Sequence, residues 1–245
     1  MLVNKILKVV LLLLAGAYIV LQGFAVEVKG AALSAISLGL LTFLYYKWTK
    51  DKSEYFFLFL VVFTLADILG LAAYYRVPIL SGNIDYLYYT ANILYMLSYI
   101  FLIVKILKGF NFRKVFYELS IPIIILVVLD VFCVTLVTAT AEKEFTYYQY
   151  ILEFTYNTVI MVLLSVALIN YMYRNDKKSM LFLLGSIFIV FSEIIQLAYY
   201  YVLEDNNLSL IYSIFLVVAF LFFYLQSQTA FTGPIPEYKD DELEA

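Results

Sequence analysis

Histidine is absent from this 245-residue sequence and cysteine occurs once, and these two shortages exclude several kinds of functional site. Without histidine there is no histidine-ligated haem or zinc, no Ser-His-Asp triad and no histidine proton switch. Cys133 alone forms neither an intrachain disulfide nor a cysteine metal cluster. The predicted seventh helix has no lysine between Met180 and Leu208, which excludes a retinal Schiff base there. We expect no metal and no cofactor.

Glycine and proline are also scarce, with 9 and 4 residues, so the chain has no long linker. Glycine-rich phosphate loops and the basic patches typical of nucleic-acid binding are absent as well, so nucleic acid is not an expected partner. We predict a single domain, residues 1–230, followed by a short acidic cytoplasmic tail, residues 231–245.

Hydrophobic residues, in contrast, make up 64% of the chain, and the mean hydropathy is +0.92. Soluble domains are about 45–50% apolar, and a membrane-spanning helix needs about 20 mostly apolar residues. Segment length favours helices over strands, and we expect the first helix to be retained and not cleaved as a signal peptide. We predict an all-α polytopic membrane protein with eight transmembrane helices, at about 6–25, 30–46, 55–76, 86–107, 115–138, 146–172, 179–202 and 208–226.

The basic residues divide unequally between the two sides of the membrane. Of the 16 lysines and arginines, all but Lys29, Arg76 and Lys143 flank helices on the side that carries the N-terminus and the C-terminal tail. Because cytoplasmic segments carry the excess of Lys and Arg, this distribution predicts that both termini are cytoplasmic.

Polar residues inside the predicted helices concentrate in the outer half of the membrane. Asp67 and Glu193 each lie nine residues, or ~14 Å, from the outer end of their predicted helix. The same half holds Asn92, Asp130, Glu153, Asn157 and Gln196. This pattern predicts a polar cavity that opens to the outer side, and we expect Tyr74, Tyr95 and Tyr200 to face it.

Asp67 and Glu193 stand in similar contexts. Each acid is followed at the same spacing by Ile, Leu-Ala and Tyr-Tyr, which indicates a weak parallel repeat of two halves. An ionisable group at membrane depth costs ~2.5 kcal/mol or more, so each carboxyl must be protonated, paired or hydrated. Lys29 is the best candidate for a salt bridge. Two such acids suit general acid/base chemistry or ion relay, and structural hydrogen bonding is the alternative interpretation.

Three short motifs and one dipeptide carry a family resemblance. They are Ala66-Asp67-Ile68-Leu69, Ala91-Asn92-Ile93-Leu94-Tyr95, Ser192-Glu193 and Lys29-Gly30. In order, spacing and helix placement they resemble the YhhN family of bacterial membrane proteins, which includes the lysoplasmalogenases and has about eight helices. The family pattern has Gly-Asp, Ala-His-x-x-Tyr, Ser-Asp and Lys-Pro at these places. Asp67, Tyr95 and Lys29 match, whereas Ala66, Asn92, Glu193 and Gly30 depart from the pattern.

The resemblance implies hydrolysis of the vinyl-ether bond of a lysoplasmalogen, a membrane lysophospholipid, in the bacterial inner membrane. The products are a fatty aldehyde and a glycerophospho-alcohol. Asp67 and Glu193 would be the catalytic pair, one delivering a proton and the other stabilising the oxocarbenium ion and activating water. The expected substrate-binding residues are Asn92, Tyr95, Lys29 (on the lipid phosphate), Gln196, Asp130, Glu153 and Asn157.

Two further functions are compatible with the sequence. A non-catalytic membrane protein of the same fold that binds a lipid or small molecule is favoured by Asn92, which replaces the family histidine. A proton-coupled carrier would use Asp67 and Glu193 as relay groups, but the inner halves of the helices offer no polar continuation. The sequence does not indicate an oligomeric state.

Overall fold

The computed structural model describes residues 2–76, 84–141, 143 and 145–230, and the predicted tail, 231–245, lies outside them. Within these residues the chain forms eight helices, each long and apolar enough to cross a membrane. This confirms the all-helical, multi-pass architecture. The helices are α1 (Leu2–Gly23), α2 (Glu27–Trp48), α3 (Glu54–Ala73), α4 (Tyr86–Leu107), α5 (Phe112–Ala141), α6 (Tyr147–Arg174), α7 (Lys177–Tyr201) and α8 (Asn206–Gln228).

Polar residues at the loops set where several of these apolar helices begin and end. Asp85, Asp176 and Asp205 accept hydrogen bonds from backbone amides in the first turns of α4, α7 and α8. Thr146 and the third residue of α6 cap each other reciprocally. Asn175 ends α6 in the left-handed conformation, with φ of 47°. These caps satisfy amides and carbonyls that have no partner within a helix.

Seven helices form a closed ring. Going around it, α1 packs on α2, α2 on α3, α3 on α4, α4 on α6, α6 on α7, α7 on α8, and α8 returns to α1. The remaining helix, α5, lies outside the ring against α6 and makes a smaller contact with α7. Consistent with this place, large apolar side chains along α5 such as Ile121, Val131 and Phe132 are exposed, in a position to face lipid.

Four phenylalanines from α3 and α8 fill the middle of the ring: Phe59, Phe63, Phe220 and Phe223, here called the aromatic floor. Phe59 stacks on Phe220 with ring centroids 5.6 Å apart, and the Phe63 ring meets Phe220 edge-on at 4.9 Å. The close approach of α7 and α8 depends on Gly185, since a Cβ there would lie 2.6 Å from the Phe223 ring. Phe63 lies one helical turn below Asp67 on α3, so the floor closes the space beneath that carboxyl group.

The start of α4 carries an ion pair that links it to the end of α3. Asp85 caps α4 through the amide of Tyr88 at 3.0 Å and pairs with Arg76. Burial raises the pKa of Asp85, but the Arg76 guanidinium and the amides of Tyr88 and Leu87 together outweigh burial and hold the pKa below its usual value.

Replacing Asp85 with Ala should lower the free energy of unfolding by about 1 kcal/mol at neutral pH, because the helix loses its cap. Asp85→Asn keeps the cap and loses only the charge. A carboxyl group with a lowered pKa stabilises above its unfolded pKa of about 3.9 and ceases to do so as the pH falls through its folded pKa. Wild type and Asp85→Asn should therefore differ at pH 7, and the difference should begin to shrink at about pH 4 and vanish once the pH is below the folded pKa.

Thermal unfolding in detergent measures this difference, with Asp51→Asn in the exposed loop before α3 as the control. A difference between wild type and Asp85→Asn that is independent of pH would contradict the ion pair's contribution.

Candidate functional site

Carboxyl groups near one end of the ring are bound by tyrosine hydroxyls from other helices. This is the end where α3 and α7 finish and where α2, α4 and α6 start. The acids are Glu27, Asp67, Glu153 and Glu193, and their donors are Tyr74, Tyr88, Tyr95, Tyr99, Tyr156 and Tyr199. We call these ten residues the tyrosine–carboxyl cluster.

Asp67 has one satisfied oxygen and one that is bare. The Tyr95 hydroxyl of α4 donates to Oδ1 at 2.6 Å. Oδ2 is buried and has no hydrogen-bond partner. Ser34 of α2 faces this carboxyl group, although not at a geometry that gives Oδ2 a regular hydrogen bond. A buried oxygen without a donor is costly in a native protein, so Oδ2 is the atom in the cluster best placed for a proton or a ligand.

Glu193 has donors on both oxygens. The Tyr99 hydroxyl of α4 donates to Oε1, and the Tyr156 hydroxyl of α6 donates to Oε2 at 2.9 Å. Tyr99 is fully buried, and its ring meets that of Tyr156 edge-on with centroids 6.1 Å apart. Two hydroxyl donors on one carboxyl group form the environment that an anion needs at this depth.

One face of α4 connects the two acids. Tyr88, Asn92, Tyr95 and Tyr99 follow one another at spacings of four, three and four residues, so they form a single stripe along the helix. Tyr95 and Tyr99 lie one turn apart, ~6 Å, and they bind acids from α3 and α7 respectively. Glu193 also lies within electrostatic range of Asp67. The structure therefore brings Asp67, Tyr95 and Glu193 into one site.

Asp67 lies closer to the end of its helix than the sequence predicts. The helix α3 ends at Ala73, not at residue 76, because the chain turns at Tyr74. Asp67 is thus six residues, ~9 Å, from its helix end, whereas Glu193 is eight residues, ~12 Å, from the end of α7. Both acids lie above the aromatic floor.

Glu153 occupies a neighbouring part of the same cluster. The Tyr88 hydroxyl donates to Glu153 Oε1 at 2.7 Å and lies 3.2 Å from the Tyr201 hydroxyl of α7. Asn92, which the sequence predicts as a substrate contact, donates its amide to the Tyr88 backbone carbonyl at 2.9 Å. This bond stays within α4 and ties up the amide nitrogen.

Glu27 is a member of the cluster that the sequence did not single out. The Tyr199 hydroxyl donates to its Oε1 at 2.7 Å and the Tyr74 hydroxyl to its Oε2 at 3.2 Å. The predicted second helix began at residue 30, which left Glu27 in a loop, whereas α2 starts at Glu27 itself. Of its two donors, Tyr74 is one of the tyrosines expected from the sequence to face the cavity, whereas no sequence signal pointed to Tyr199.

Four predicted site residues lie apart from the Asp67–Glu193 pair or have no described contact with it. Asp130 of α5 accepts a hydrogen bond from Ser165 at 2.9 Å, and Asn157 donates to Thr138 at 3.1 Å. Both bonds join α5 to α6 from outside the ring. Lys29 is exposed near the start of α2 and makes no described salt bridge, and Gln196 is half-buried on α7.

A cavity of about 310 Å³ lies between α1, α2 and α8. Its lining is almost entirely apolar, and Tyr18 and Ser34 line it near Asp67. Among the described residues no group of three or more cysteines, aspartates and glutamates is arranged to hold a metal ion.

Comparison of the chain with protein-family models, with curated proteins and with solved structures gave no match. The resemblance to the YhhN family therefore stays a prediction from the motifs.

Tyr99→Phe should destabilise the protein by about 1–2 kcal/mol, because Glu193 Oε1 loses its donor in a buried setting while the ring packing is retained. The measurement is the midpoint of thermal unfolding in detergent. Tyr117→Phe is the control, since Tyr117 is 88% exposed on α5. Equal midpoints for the two variants would contradict a structural role for the Tyr99 hydrogen bond.

Proposed function

We propose that this protein is an integral-membrane hydrolase that cleaves the vinyl-ether bond of a lysophospholipid, with Asp67 and Glu193 as its acid/base pair. The observation that supports this most is the contrast between the two acids. Asp67 keeps a bare, buried Oδ2, whereas both oxygens of Glu193 accept tyrosine hydroxyls.

That contrast assigns the two roles. Hydrogen bonds to both oxygens favour an ionised carboxylate, so Glu193 is the anion of the pair. Asp67 accepts one regular hydrogen bond, from Tyr95, and lies in largely apolar surroundings, which favours a neutral acid whose proton is carried on Oδ2. Tyr95 holds Asp67 through Oδ1 and so orients Oδ2.

The reaction then needs only these two groups and water. The Asp67 proton adds to the vinyl carbon β to the ether oxygen, and the double-bond electrons form the new C–H bond. The resulting oxocarbenium ion is stabilised by the Glu193 carboxylate, which also takes a proton from the attacking water. The hemiacetal collapses to a fatty aldehyde as its hydroxyl proton passes to the leaving glycerol oxygen, and the proton that Glu193 took from water returns to Asp67, which restores both groups.

The cluster also offers groups for the polar part of the substrate. Lys29 is exposed two residues after Glu27, at the start of α2, where its ammonium is placed to meet a lipid phosphate as a point charge. Asn92 has its carbonyl oxygen left for a water molecule, since its amide nitrogen is engaged with Tyr88.

Aldehyde release from a lysoplasmalogen by the detergent-purified protein tests the proposal. Wild type should release aldehyde, and Asp67→Asn should reduce the rate at least 100-fold, because general acid catalysis is worth about 10²–10⁴. Glu193→Gln should show a similar loss. Asp130→Asn, at the α5–α6 contact, should retain activity. No release by folded wild type, or full activity of Asp67→Asn, would overturn the assignment.

The double variant provides a second readout on the same assay. If the acids act as one unit, Asp67→Asn combined with Glu193→Gln should be little slower than either single variant. If the rate reductions of the two single variants multiply in the double variant, the acids act independently, which contradicts a shared reaction.

The proposed orientation places the cluster on the outer face of a bacterial inner membrane with both termini in the cytoplasm, as the distribution of basic residues indicates. In a Cys133→Ser background, Ile84→Cys should react with an impermeant thiol reagent applied to intact cells. Asn175→Cys should react only after lysis. The reverse pattern would contradict this orientation.

A non-catalytic lipid-binding protein is the second candidate, and Asn92 is the observation that favours it. Asn92 stands where the family pattern has histidine. Its side-chain amide donates to the backbone of its own helix, and it adds no acid/base group to Asp67 and Glu193. This candidate predicts lysolipid binding without aldehyde release. The aromatic floor disfavours a proton-coupled carrier, because it blocks a polar route from Asp67 toward the opposite side.

A further inference from the structure

The cavity between α1, α2 and α8 has the shape of a groove along α1. Its α1 lining is Lys8, Leu11, Leu12, Ala15 and Tyr18, which form one face of the helix. Leu12 is 64% exposed and Leu225 of α8 is 40% exposed. Exposed rim residues of this kind leave the groove open sideways, toward the hydrocarbon of the bilayer.

The length of the groove corresponds to one leaflet. Lys8 and Tyr18 are ten residues apart, which is ~15 Å along the helix. The hydrocarbon core of a bilayer is about 30 Å thick, so half of it is about 15 Å. The volume of about 310 Å³ lies at the lower end of the range for ligand sites, which suits a single chain.

Charge distinguishes the two ends of the groove. Lys8 is exposed at the end where α1 begins, with its ammonium 5.5 Å from the centre of the Tyr224 ring. Lys5 lies one turn earlier on α1, on the same side of the helix. None of the described residues that line the groove is acidic. A basic end at the membrane surface and an apolar interior are complementary to an anionic head group and its chain.

We infer that this groove binds one acyl chain of an anionic phospholipid whose phosphate lies against Lys8. The lipid comes from the leaflet on the side where α1 begins, and its chain ends near Tyr18 and Ser34. The bound chain would thus end beside Tyr18 and Ser34, the two lining residues near Asp67. This inference does not depend on the proposed hydrolysis.

Lipid titrations of the detergent-purified protein test it, with binding measured by native mass spectrometry. Dioleoyl phosphatidylglycerol should bind about fivefold more tightly than dioleoyl phosphatidylcholine, since one lysine near the surface contributes on the order of this factor. Lys8→Gln should abolish the difference. Lys47→Gln should not, because Lys47 carries the same charge at the same membrane side and does not line the groove.

Two tryptophan substitutions on α1, one inside the groove and one outside it, test whether the lipid binds in the groove. Ala15→Trp should abolish binding of both lipids, whereas Ala17→Trp, an exposed position on the same helix outside the groove, should bind as wild type does. If Ala15→Trp does not fold, the comparison of Lys8→Gln with wild type still tests the inference, because Lys8 is exposed and its replacement should not disturb folding.

Any one of five results would overturn the inference. Four of them are equal affinity for the two lipids, the same loss in Lys47→Gln as in Lys8→Gln, unchanged binding by folded Ala15→Trp, and binding of glycerol 3-phosphate as tight as that of the lipid. The last would identify a free anion as the ligand. The fifth result is displacement of the phospholipid by a neutral lysolipid to the same extent in wild type and Lys8→Gln. It would identify the groove as the site for the substrate's chain and would overturn the inference.

Discussion

A carboxyl group within hydrocarbon must find its hydrogen-bond donors inside the protein, and this constraint organises one end of the bundle. The donors here are phenol hydroxyls, since the chain has no histidine and Lys29 stays exposed. Each tyrosine–carboxyl bond joins residues from different helices or their ends. The α4 stripe supplies three of the donors, so the rotation of α4 about its axis determines whether the acids of α3, α6 and α7 are satisfied.

The same constraint gives the two central acids different characters. Glu193 accepts hydroxyls from two helices, which is why the proposed reaction assigns the negative charge to it. Asp67 accepts a regular hydrogen bond on one oxygen only, and the proposed reaction uses the second oxygen. In the proposed reaction the tyrosines position groups and do not exchange protons, because a phenol is a poor acid at neutral pH.

Helix number and the level of the acids were predictable because both depend on short stretches of sequence. Eight apolar segments separated by charged loops give eight helices, and counting residues from a loop locates Asp67 and Glu193 to within about a turn. The order of helices around the ring was not predictable. Lipid-facing and core-facing sides are both apolar here, so no pattern showed that α5 lies outside, or that Asp130 and Asn157 would meet Ser165 and Thr138 there.

The aromatic floor has a consequence for energy coupling. Phe59, Phe63, Phe220 and Phe223 pack ring against ring below Asp67, so in the proposed reaction we expect the acids to exchange protons with one compartment only. Their protonation would then follow the acidity of that compartment, and a transmembrane proton gradient would do no work on the site. Turnover in the proposed reaction would respond to the solution on that side and not to the energised state of the membrane.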